Sequence, residues 1–360
     1  MFGHPRGEAP IRLAVIARTQ AHVQKVPAGA RPVAERADRA GQTGAVRWVT
    51  VEDIRSAAQR IRPYVVRTPL VPALWAEPSR PLWIKPETLQ PIGAFKVRGA
   101  FHAVGNLDES VRRRGVVAYS SGNHAQAVAY AARIHGIPAH IVMPEQTAPN
   151  KVEATRRHGA RVVLCAAGQR EQVAAELLAR TGGALVPPFD HPDVIAGHGT
   201  IGLEIAEDLP TVDNVLVPVS GGGLAAGVGT AIKALCPTAR VFGVEPELAA
   251  DTAESLAAGH LVDWPVDRRD RTVADGLRAQ PSALTFAHLQ QVLDGVITVS
   301  EDEILSAVRE LALHAHIVSE PSGAVGLAAY RRGALPPGRT VVVVSGGNIE
   351  PRLLAEVLAG

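Results

Sequence analysis

Apolar and polar positions alternate along most of the chain, and the pattern predicts strands and helices in turn. Eight short apolar runs predict buried strands: LWIK, GVVAYSS, AHIVMP, RVVLC, NVLVPVS, RVFGVEP, GVITVS and TVVVVSGG. After a capped amphipathic helix in VTVEDIRSAAQRI, helices are predicted between the strands, notably at residues 123–135, 150–158, 171–179, 224–235, 302–314 and 322–331. Near-continuous Val/Ile/Leu strands that alternate with helices are typical of parallel sheets covered on both faces, so we expect an α/β protein.

The first 46 residues lack this alternation. They carry a mixture of basic and acidic side chains, and their apolar stretch LAVIA is shorter than the core of a signal peptide, which takes roughly 7–15 residues. We expect residues 1–46 to be a disordered extension, or the result of a translation start assigned too early, ahead of a fold that begins near Trp48.

Composition and charge narrow the possible function classes. The 360-residue chain is 46% hydrophobic and 20% charged, with a net charge of +2, which is typical of a globular protein without a polyanion-binding surface. Cys165 and Cys236 lack the spacing of a zinc site or a disulfide framework, and no apolar run approaches the ~20 residues of a membrane span. We therefore expect a cytoplasmic protein that binds neither nucleic acid nor membrane.

Three loops rich in small residues follow predicted strands: AYSSGNHAQ, VPVSGGGLAAGVG and VVVVSGGN. In α/β sheets ligands bind at the carboxyl ends of the strands, and glycine-rich loops allow backbone amides to surround a bound group. The three loops together predict a binding site at one edge of a sheet.

The second of these loops, at residues 220–229, is expected to bind phosphate. A strand, a glycine run and a helix form an anion site from backbone N–H groups and the positive end of the helix. A dinucleotide site is an alternative, because Gly221, Gly223 and Gly227 give G-x-G-x-x-x-G and Glu245 ends the next strand. A purely structural glycine turn is another. Phosphate is favoured because the spacing is not G-x-G-x-x-G and the loop lies in mid-chain.

Lys96, in the stretch GAFKVRGA, is one of five lysines among 37 basic residues. Arginine could replace a lysine that clamps phosphate or carries surface charge, but only a primary amine condenses with an aldehyde. An essential amine and a phosphate site together predict pyridoxal phosphate. Asn123 is expected at the oxygen of its ring and Ser345 at the ring nitrogen, although such residues in glycine loops most often complete turns.

These motifs resemble those of fold type II, the β-family, of pyridoxal-phosphate enzymes, in the threonine/serine dehydratase and serine racemase branch. The resemblance extends from about residue 47 to residue 360 and rests on LQPIGAFKVRGA, SSGNHAQAVAYAA, PFDHPDVIAGHGTIGLEI, PVSGGGLAAGVG, VADGL, SEPSGAVGLAA and VVVVSGGN. It implies a two-lobed fold of parallel-rich twisted sheets flanked by helices. The large cofactor-binding domain would comprise residues 47–110 and 192–360, and the small domain residues 111–191. It also implies a homodimer or homotetramer.

The resemblance implies a role for each loop. Lys96 would hold the cofactor covalently and act as the catalytic base, and Ser121 is a second candidate catalytic residue. Ser220 replaces the glycine with which most of the family begins the phosphate loop, and its hydroxyl is expected to add a phosphate contact. The implied cofactor-binding residues are Phe95, Lys96, Asn123, Ser220, Gly221, Gly222, Gly223, Leu224 and Ser345, and the implied substrate-binding residues are Ser120, Ser121, Gly122, Asn123 and His124.

The implied reaction is β-elimination, which converts L-threonine or L-serine into a 2-oxo acid and ammonia. Serine racemase and 3-hydroxyaspartate dehydratase or racemase remain alternatives, because racemising relatives use a serine at the position of Ser121 as an acid/base opposite the lysine. Phe189 favours the dehydratase, since the animal racemase pattern has asparagine there. A dinucleotide-binding oxidoreductase and a non-catalytic ligand sensor are the other hypotheses, and the intact Lys96 opposes the second.

The stretch EPELAAD matches the cation site of those family members that bind a divalent metal. The resemblance implies Glu245, the backbone carbonyl of Ala249 and Asp251 as ligands. Oxygen ligands completed by water suit Mg²⁺, with Ca²⁺ or Mn²⁺ as alternatives. Two solvated acids after a strand are the simpler interpretation of the same residues.

Overall fold

The computed structural model describes residues 23–25 and 47–360. The helices are α1 Val51–Ile61, α2 Lys96–Gly105, α3 Glu109–Arg112, α4 Asn123–Ile134, α5 Pro149–Arg157, α6 Arg170–Thr181, α7 Pro192–Asp208, α8 Gly223–Leu235, α9 Asp251–Ala258, α10 Val266–Arg269, α11 Ala283–Val292, α12 Glu301–Glu310, α13 Pro321–Arg332 and α14 Pro351–Ala359. The strands are β1 Val23–Lys25, β2 Val71–Pro72, β3 Leu82–Pro86, β4 Val116–Tyr119, β5 Ala139–Pro144, β6 Arg161–Cys165, β7 Ala184–Leu185, β8 Asn214–Pro218, β9 Arg240–Pro246, β10 Gly295–Val299 and β11 Thr340–Val344.

The strands form two sheets. The larger has the order β1-β10-β9-β8-β11-β3-β2 and the smaller the order β6-β5-β4-β7. All neighbours pair in parallel except the two outermost strands of the larger sheet, β1 and β2, which pair antiparallel. Each of the eight strands predicted from apolar runs is present, which confirms the prediction of parallel sheets.

Helices cover both faces of the larger sheet. One apolar cluster packs β8, β9 and β11 against α1, α7, α8 and α11, and a second packs the opposite face against α12 and α13. Every residue of β8 and β11 is buried as a result. A strand buried on both faces has no polar side, which explains why these strands read as continuous apolar runs in the sequence.

The predicted helices are confirmed to within a few residues at their ends, with one correction. The helix expected at 302–314 stops being α-helical at Glu310 and continues as a π-helical turn, Leu311–Ala315. Helix α1 is capped as expected: the Thr50 side chain accepts from the Asp53 amide, and the Asp53 carboxylate accepts from the Thr50 amide.

Most of residues 1–46 lie outside the described residues, so the expectation of a disordered extension stays a prediction there. Within that segment Val23–Lys25 forms β1, which pairs with β10 in the register Val23 to Ile297. The sequence pattern did not predict this edge strand.

The three small-residue loops follow β4, β8 and β11, all at the carboxyl ends of their strands. The last lies against the segment that leads into α2, because the Phe95 amide donates to the Ser345 carbonyl at 3.0 Å and Ala94 forms a bridge with Gly346. The strands of the smaller sheet fall within residues 111–191, the span expected for a small domain, while the domain boundaries stay a prediction. Of the helices described, none is long and apolar enough to cross a membrane.

Candidate active site

Lys96 is the first residue of α2, and its amine is enclosed by protein. The amine donates to the backbone carbonyl of Pro188 at 2.6 Å, in the segment between β7 and α7. The residue as a whole is half-buried, and burial of its amine lowers the pKa of Lys96 to about 7. Near neutral pH, a large fraction of the amine is therefore unprotonated and nucleophilic.

Two buried histidines lie near Lys96. His124 Nε2 lies 2.8 Å from the Val186 carbonyl oxygen, and burial together with Lys96 lowers the pKa of His124 to about 3. The ring of His198 packs edge-on against Phe95 with 4.7 Å between centroids, and burial and Lys96 lower the pKa of His198 as well. Both imidazoles are therefore neutral, so the charge around Lys96 depends on the lysine itself.

Asn123 is held on both sides of its carboxamide. It begins α4, directly after the loop that leaves β4. Its Oδ1 accepts from Asn348 Nδ2 at 2.7 Å, and its Nδ2 donates to Glu320 Oε1 at 2.7 Å. Glu320 is buried, and burial followed by the nearby Asp275 raises the pKa of Glu320 to about 7.

The glycine loop after β8 curves around Phe189. A Cβ atom at Gly221 would lie 2.3 Å from the Phe189 ring, and one at Gly223 would lie 2.9 Å from Phe189 Cβ. Gly222 has φ +85°, a left-handed conformation that favours glycine. Gly223 and Leu224 then begin α8, whose first amides have no partners within the helix. The loop therefore contains glycines that a larger residue could not replace without a clash, and it leads into free backbone amides of the kind that bind a phosphate group.

The Ser220 hydroxyl is engaged elsewhere. It donates to the Ala279 carbonyl at 3.1 Å and accepts from the Ala279 amide at 3.0 Å. Its single hydrogen is thus used by Ala279, so Ser220 has only its backbone amide to offer to an anion. The hydroxyl contact to phosphate expected from the sequence is not supported by this geometry.

The remaining predicted residues lie in the loop after β11 and in the loop of residues 120–124. Ser345 is buried at the end of β11, beside Phe95. Ser120 Oγ accepts from the Gly122 amide at 3.2 Å and so orders the loop that contains the half-buried Ser121. The structure therefore brings the lysine segment, the asparagine loop and the β11 loop together.

The predicted metal ligands form a separate buried group. Glu245, at the end of β9, accepts from the amides of Thr252 at 3.1 Å and Ala253 at 2.9 Å. Ala249 and Asp251 are buried, and neither carboxylate oxygen of Asp251 has a partner among the described residues. Within that part of the chain no cluster of three or more His, Cys, Asp or Glu side chains suits a metal. The fit of a cation thus rests on two carboxylates, one of them without partners.

Glu320 and Asn348 are the site residues to which the sequence assigned no role. Both lie in motifs that the sequence analysis used, SEPSGAVGLAA and VVVVSGGN. The signal available was an acidic residue directly before the helix-initiating Pro321, but a local pattern does not reveal that its carboxylate faces Asn123.

The family described as pyridoxal-phosphate dependent enzyme matches residues 61–346. Serine racemase of Oryza sativa subsp. indica is 39% identical over 319 residues, which cover 86% of this chain and 93% of that protein. L-threo-3-hydroxyaspartate ammonia-lyase of Saccharomyces cerevisiae is 37% identical over 318 residues, covering 86% and 97% respectively. The crystal structure of a threonine deaminase from T.th. is 43% identical and superposes with a TM-score of 0.80, covering 84% of this chain and 99% of that one.

The comparisons confirm the predicted family and fold type. They do not support a dinucleotide-binding oxidoreductase, and Glu245, which that hypothesis required, is bonded to backbone amides. The chain belongs to the pyridoxal-phosphate dependent enzymes, in the group that contains serine racemases, threonine ammonia-lyases and hydroxyaspartate ammonia-lyases.

Proposed function

We propose that the protein is a threonine/serine ammonia-lyase, which converts L-threonine or L-serine into a 2-oxo acid and ammonia. The observation that carries the proposal is the enclosed amine of Lys96, whose pKa is lowered to about 7 by burial. An amine that is largely neutral near pH 7 can condense with an aldehyde and can also accept a proton. Lys96 Nζ would remove the proton from the α-carbon of the substrate.

The cofactor would be held by four parts of the chain. The amides of Ser220–Leu224 and the start of α8 would bind the phosphate, and Lys96 would hold the cofactor covalently beside Phe95. Asn123 would donate to the ring oxygen and Ser345 would contact the ring nitrogen. When bound, pyridoxal phosphate supplies the electron sink that stabilises negative charge at the α-carbon.

The substrate carboxylate would be bound by the loop of residues 120–124. Ser121 and Gly122 precede the first turn of α4, whose backbone amides have no acceptor within the helix. The Gly122 amide donates to Ser120 Oγ at 3.2 Å, so the remaining amides of Ser121, Asn123 and His124 are the donors we expect the carboxylate to use.

Serine racemase or a 3-hydroxyaspartate dehydratase or racemase is the second candidate. Ser121 favours racemisation because its hydroxyl could return a proton to the α-carbon from the face opposite Lys96. The similarity to a plant serine racemase and a yeast hydroxyaspartate lyase is consistent with it. The position of Phe189 against the phosphate loop favours the ammonia-lyase, since an apolar ring offers no hydrogen bond there.

Glu245, Asp251 and the carbonyl of Ala249 are proposed to bind a divalent cation, Mg²⁺ first. The support is the partnerless, buried carboxylate of Asp251, because oxygen ligands of this kind suit a hard cation. We also propose a large domain of residues 47–110 and 192–360 and a small domain of residues 111–191. The protein is proposed to assemble as a homodimer or homotetramer.

The test adds pyridoxal phosphate to the wild type and to Lys96→Arg, and follows absorbance and 2-oxo acid release. We expect a violet absorption band in the wild type that borohydride abolishes, and release of the 2-oxo acid from L-threonine or L-serine. Lys96→Arg keeps the positive charge but not the primary amine, so the band and the turnover should both be lost. Substantial turnover by Lys96→Arg would refute the proposal.

The product of the same assay separates the two candidates. The chirality of the remaining amino acid is measured together with 2-oxo acid release, using L-serine, L-threonine and 3-hydroxyaspartate. Ser121→Ala should abolish racemisation but keep much of the elimination, because elimination needs a base on one face only. Racemisation faster than elimination would favour the second candidate.

A further inference from the structure

The Asn123 carboxamide has a fixed orientation. Asn348 Nδ2 donates to Asn123 Oδ1, and Glu320 Oε1 accepts from Asn123 Nδ2, both at 2.7 Å. A rotation that exchanged Oδ1 and Nδ2 would bring an oxygen against the Glu320 carboxylate and an NH₂ group against that of Asn348. Two partners, one a donor and one an acceptor, therefore select a single orientation.

Among the described residues, this orientation leaves one hydrogen of Asn123 Nδ2 without a partner. An amide NH₂ group carries two hydrogens, and Glu320 takes one of them. Asn348 Nδ2 uses its own hydrogens on Asn123 Oδ1 and on the Ile92 carbonyl, at 2.9 Å. The second hydrogen of Asn123 is thus the donor that remains for the ring oxygen in the proposed function.

Glu320 is confined to the position in which it accepts this bond. The residue is 6% exposed, and a Cβ atom at Gly346 would lie 2.5 Å from Glu320 Oε1 and 3.1 Å from Asn123 Nδ2. The Glu320 backbone is held too, since its amide donates to the Gly346 carbonyl at 3.0 Å. The carboxylate has little room to turn away from Asn123.

We propose that Glu320 is a positioning residue, which together with Asn348 directs one N–H of Asn123 toward the ring oxygen of the cofactor. The inference rests on the proposed function and assigns roles to two residues that do not touch the reacting atoms. Glu320 acts through Asn123, so its replacement changes the hydrogen bond to the ring and hence the absorbance of the bound cofactor.

The experiment adds pyridoxal 5′-phosphate to full-length wild type, Glu320→Leu and Glu320→Gln. The leucine variant lacks the acceptor, so Asn123 is no longer held and its bond to the ring oxygen should weaken. We expect a shifted absorbance maximum and a dissociation constant raised by up to about tenfold, the equivalent of one hydrogen bond. The glutamine variant keeps an oxygen that can accept from Asn123, and it should return both values close to those of the wild type.

Asn348→Asp is an independent variant. It places a carboxylate oxygen against Asn123 Oδ1 while Glu320 still faces Nδ2, so neither orientation of the carboxamide satisfies both neighbours, and the absorbance maximum should shift. Glu350→Gln is the matched control, because Glu350 accepts from Asn150 Nδ2 at 2.6 Å and has no bond to Asn123; its spectrum should equal that of the wild type.

An unchanged absorbance maximum and affinity in Glu320→Leu would overturn the proposal. If that variant does not fold, as judged by its thermal unfolding without cofactor, an unchanged spectrum in Asn348→Asp overturns it instead. A wild type that forms no absorption band with the cofactor would contradict the proposed function itself, so the two failures are distinguishable.

Discussion

The chain buries two groups of charged side chains that differ in how their charges are balanced. In the first, Arg98 Nε donates to Glu87 at 2.7 Å, Arg98 Nη1 donates to Glu204 at 2.6 Å, and Lys85 Nζ donates to Glu204 at 2.6 Å. We call these four residues the Arg98 network. The second group is Glu245 and Asp251, whose carboxylates make no ion pair with a described residue.

The pKa shifts of the two groups have opposite directions. Burial raises the pKa of Glu204, but Arg98 and Lys85 outweigh it, and the pKa is lowered overall. For Glu245, burial and the charge of Asp251 act in the same direction and raise the pKa. Burial raises the pKa of Asp251 also. One group is neutralised by its own members, and the other needs a proton or a cation from solution.

The first group therefore stabilises the fold by itself, whereas the second responds to the protons and cations in solution. The Arg98 network joins α2, which begins with Lys96, to β3 and α7, so it fixes the helix that carries the proposed catalytic amine. Glu245 and Asp251 join the end of β9 to α9. Because neither carboxylate forms an ion pair with a described residue, the stability of this part of the fold depends on the protons and cations in solution.

The largest effect is expected when the Arg98 network is broken. Arg98→Met leaves two buried carboxylates with a single cation, so we expect the free energy of unfolding to fall by about 3–5 kcal/mol. Urea denaturation measures the change. Arg67→Met is the control: its ion pairs with Glu207 and Asp208 are largely exposed, and its loss should be much smaller. Equal losses in the two variants would contradict the assignment of the network as structural.

A smaller effect is expected from divalent cations. Mg²⁺ or Ca²⁺ at a hundred times its dissociation constant should stabilise the wild type by about 2.7 kcal/mol, because it binds the native state only. Thermal unfolding with and without the cation measures this. Asp251→Asn should abolish the effect, whereas Glu254→Gln, which changes a neighbouring acid on α9, should keep it. A cation effect that survives in Asp251→Asn would remove the proposed site.

A third effect, spread over several pH units, is a dependence on pH without divalent cation. The ordinary pKa values of Glu245 and Asp251 are 4.5 and 3.8, and the folded values are raised. Between these values the native state binds more protons than the unfolded state, so stability should fall as pH rises from about 4 toward neutrality, by at most about 1.4 kcal/mol per pH unit for each extra proton.

Glu204 acts in the opposite sense. Its pKa is lowered in the folded state, so its contribution is present above the unfolded value and is lost as pH falls through the folded value. Asp251→Asn should therefore reduce the fall in the free energy of unfolding above pH 4. Its loss below pH 4, to which Glu204 contributes, should be unchanged. The free energy of unfolding, measured by urea denaturation at a series of pH values, tests this, and an unchanged decline in Asp251→Asn would contradict it.

The fold was largely predictable because its signals are local. Short segments contain these signals, such as the apolar runs of β8 and β11 and the amphipathic pattern of α12. Helix α7 was not among the predicted helices. It contains Gly197, Gly199 and Gly202, residues that weaken a helix in isolation. Its packing requires them: a Cβ atom at Gly197 would lie 2.6 Å from the Arg98 carbonyl oxygen, and one at Gly202 would lie 2.6 Å from the Val228 carbonyl oxygen.

Periodicity predicted the order of the elements, and residue chemistry singled out Lys96, Asn123 and the glycine loop, because these are properties of short segments. The family followed from the resemblance of the motifs to those of known enzymes. The partners of those residues emerged from the packing of the whole chain. Glu320 lies 197 residues from Asn123 and Asn348 lies 225 residues from it, and the Ser220 hydroxyl meets Ala279, 59 residues away. Such contacts depend on how distant segments pack, and no local pattern contains that information.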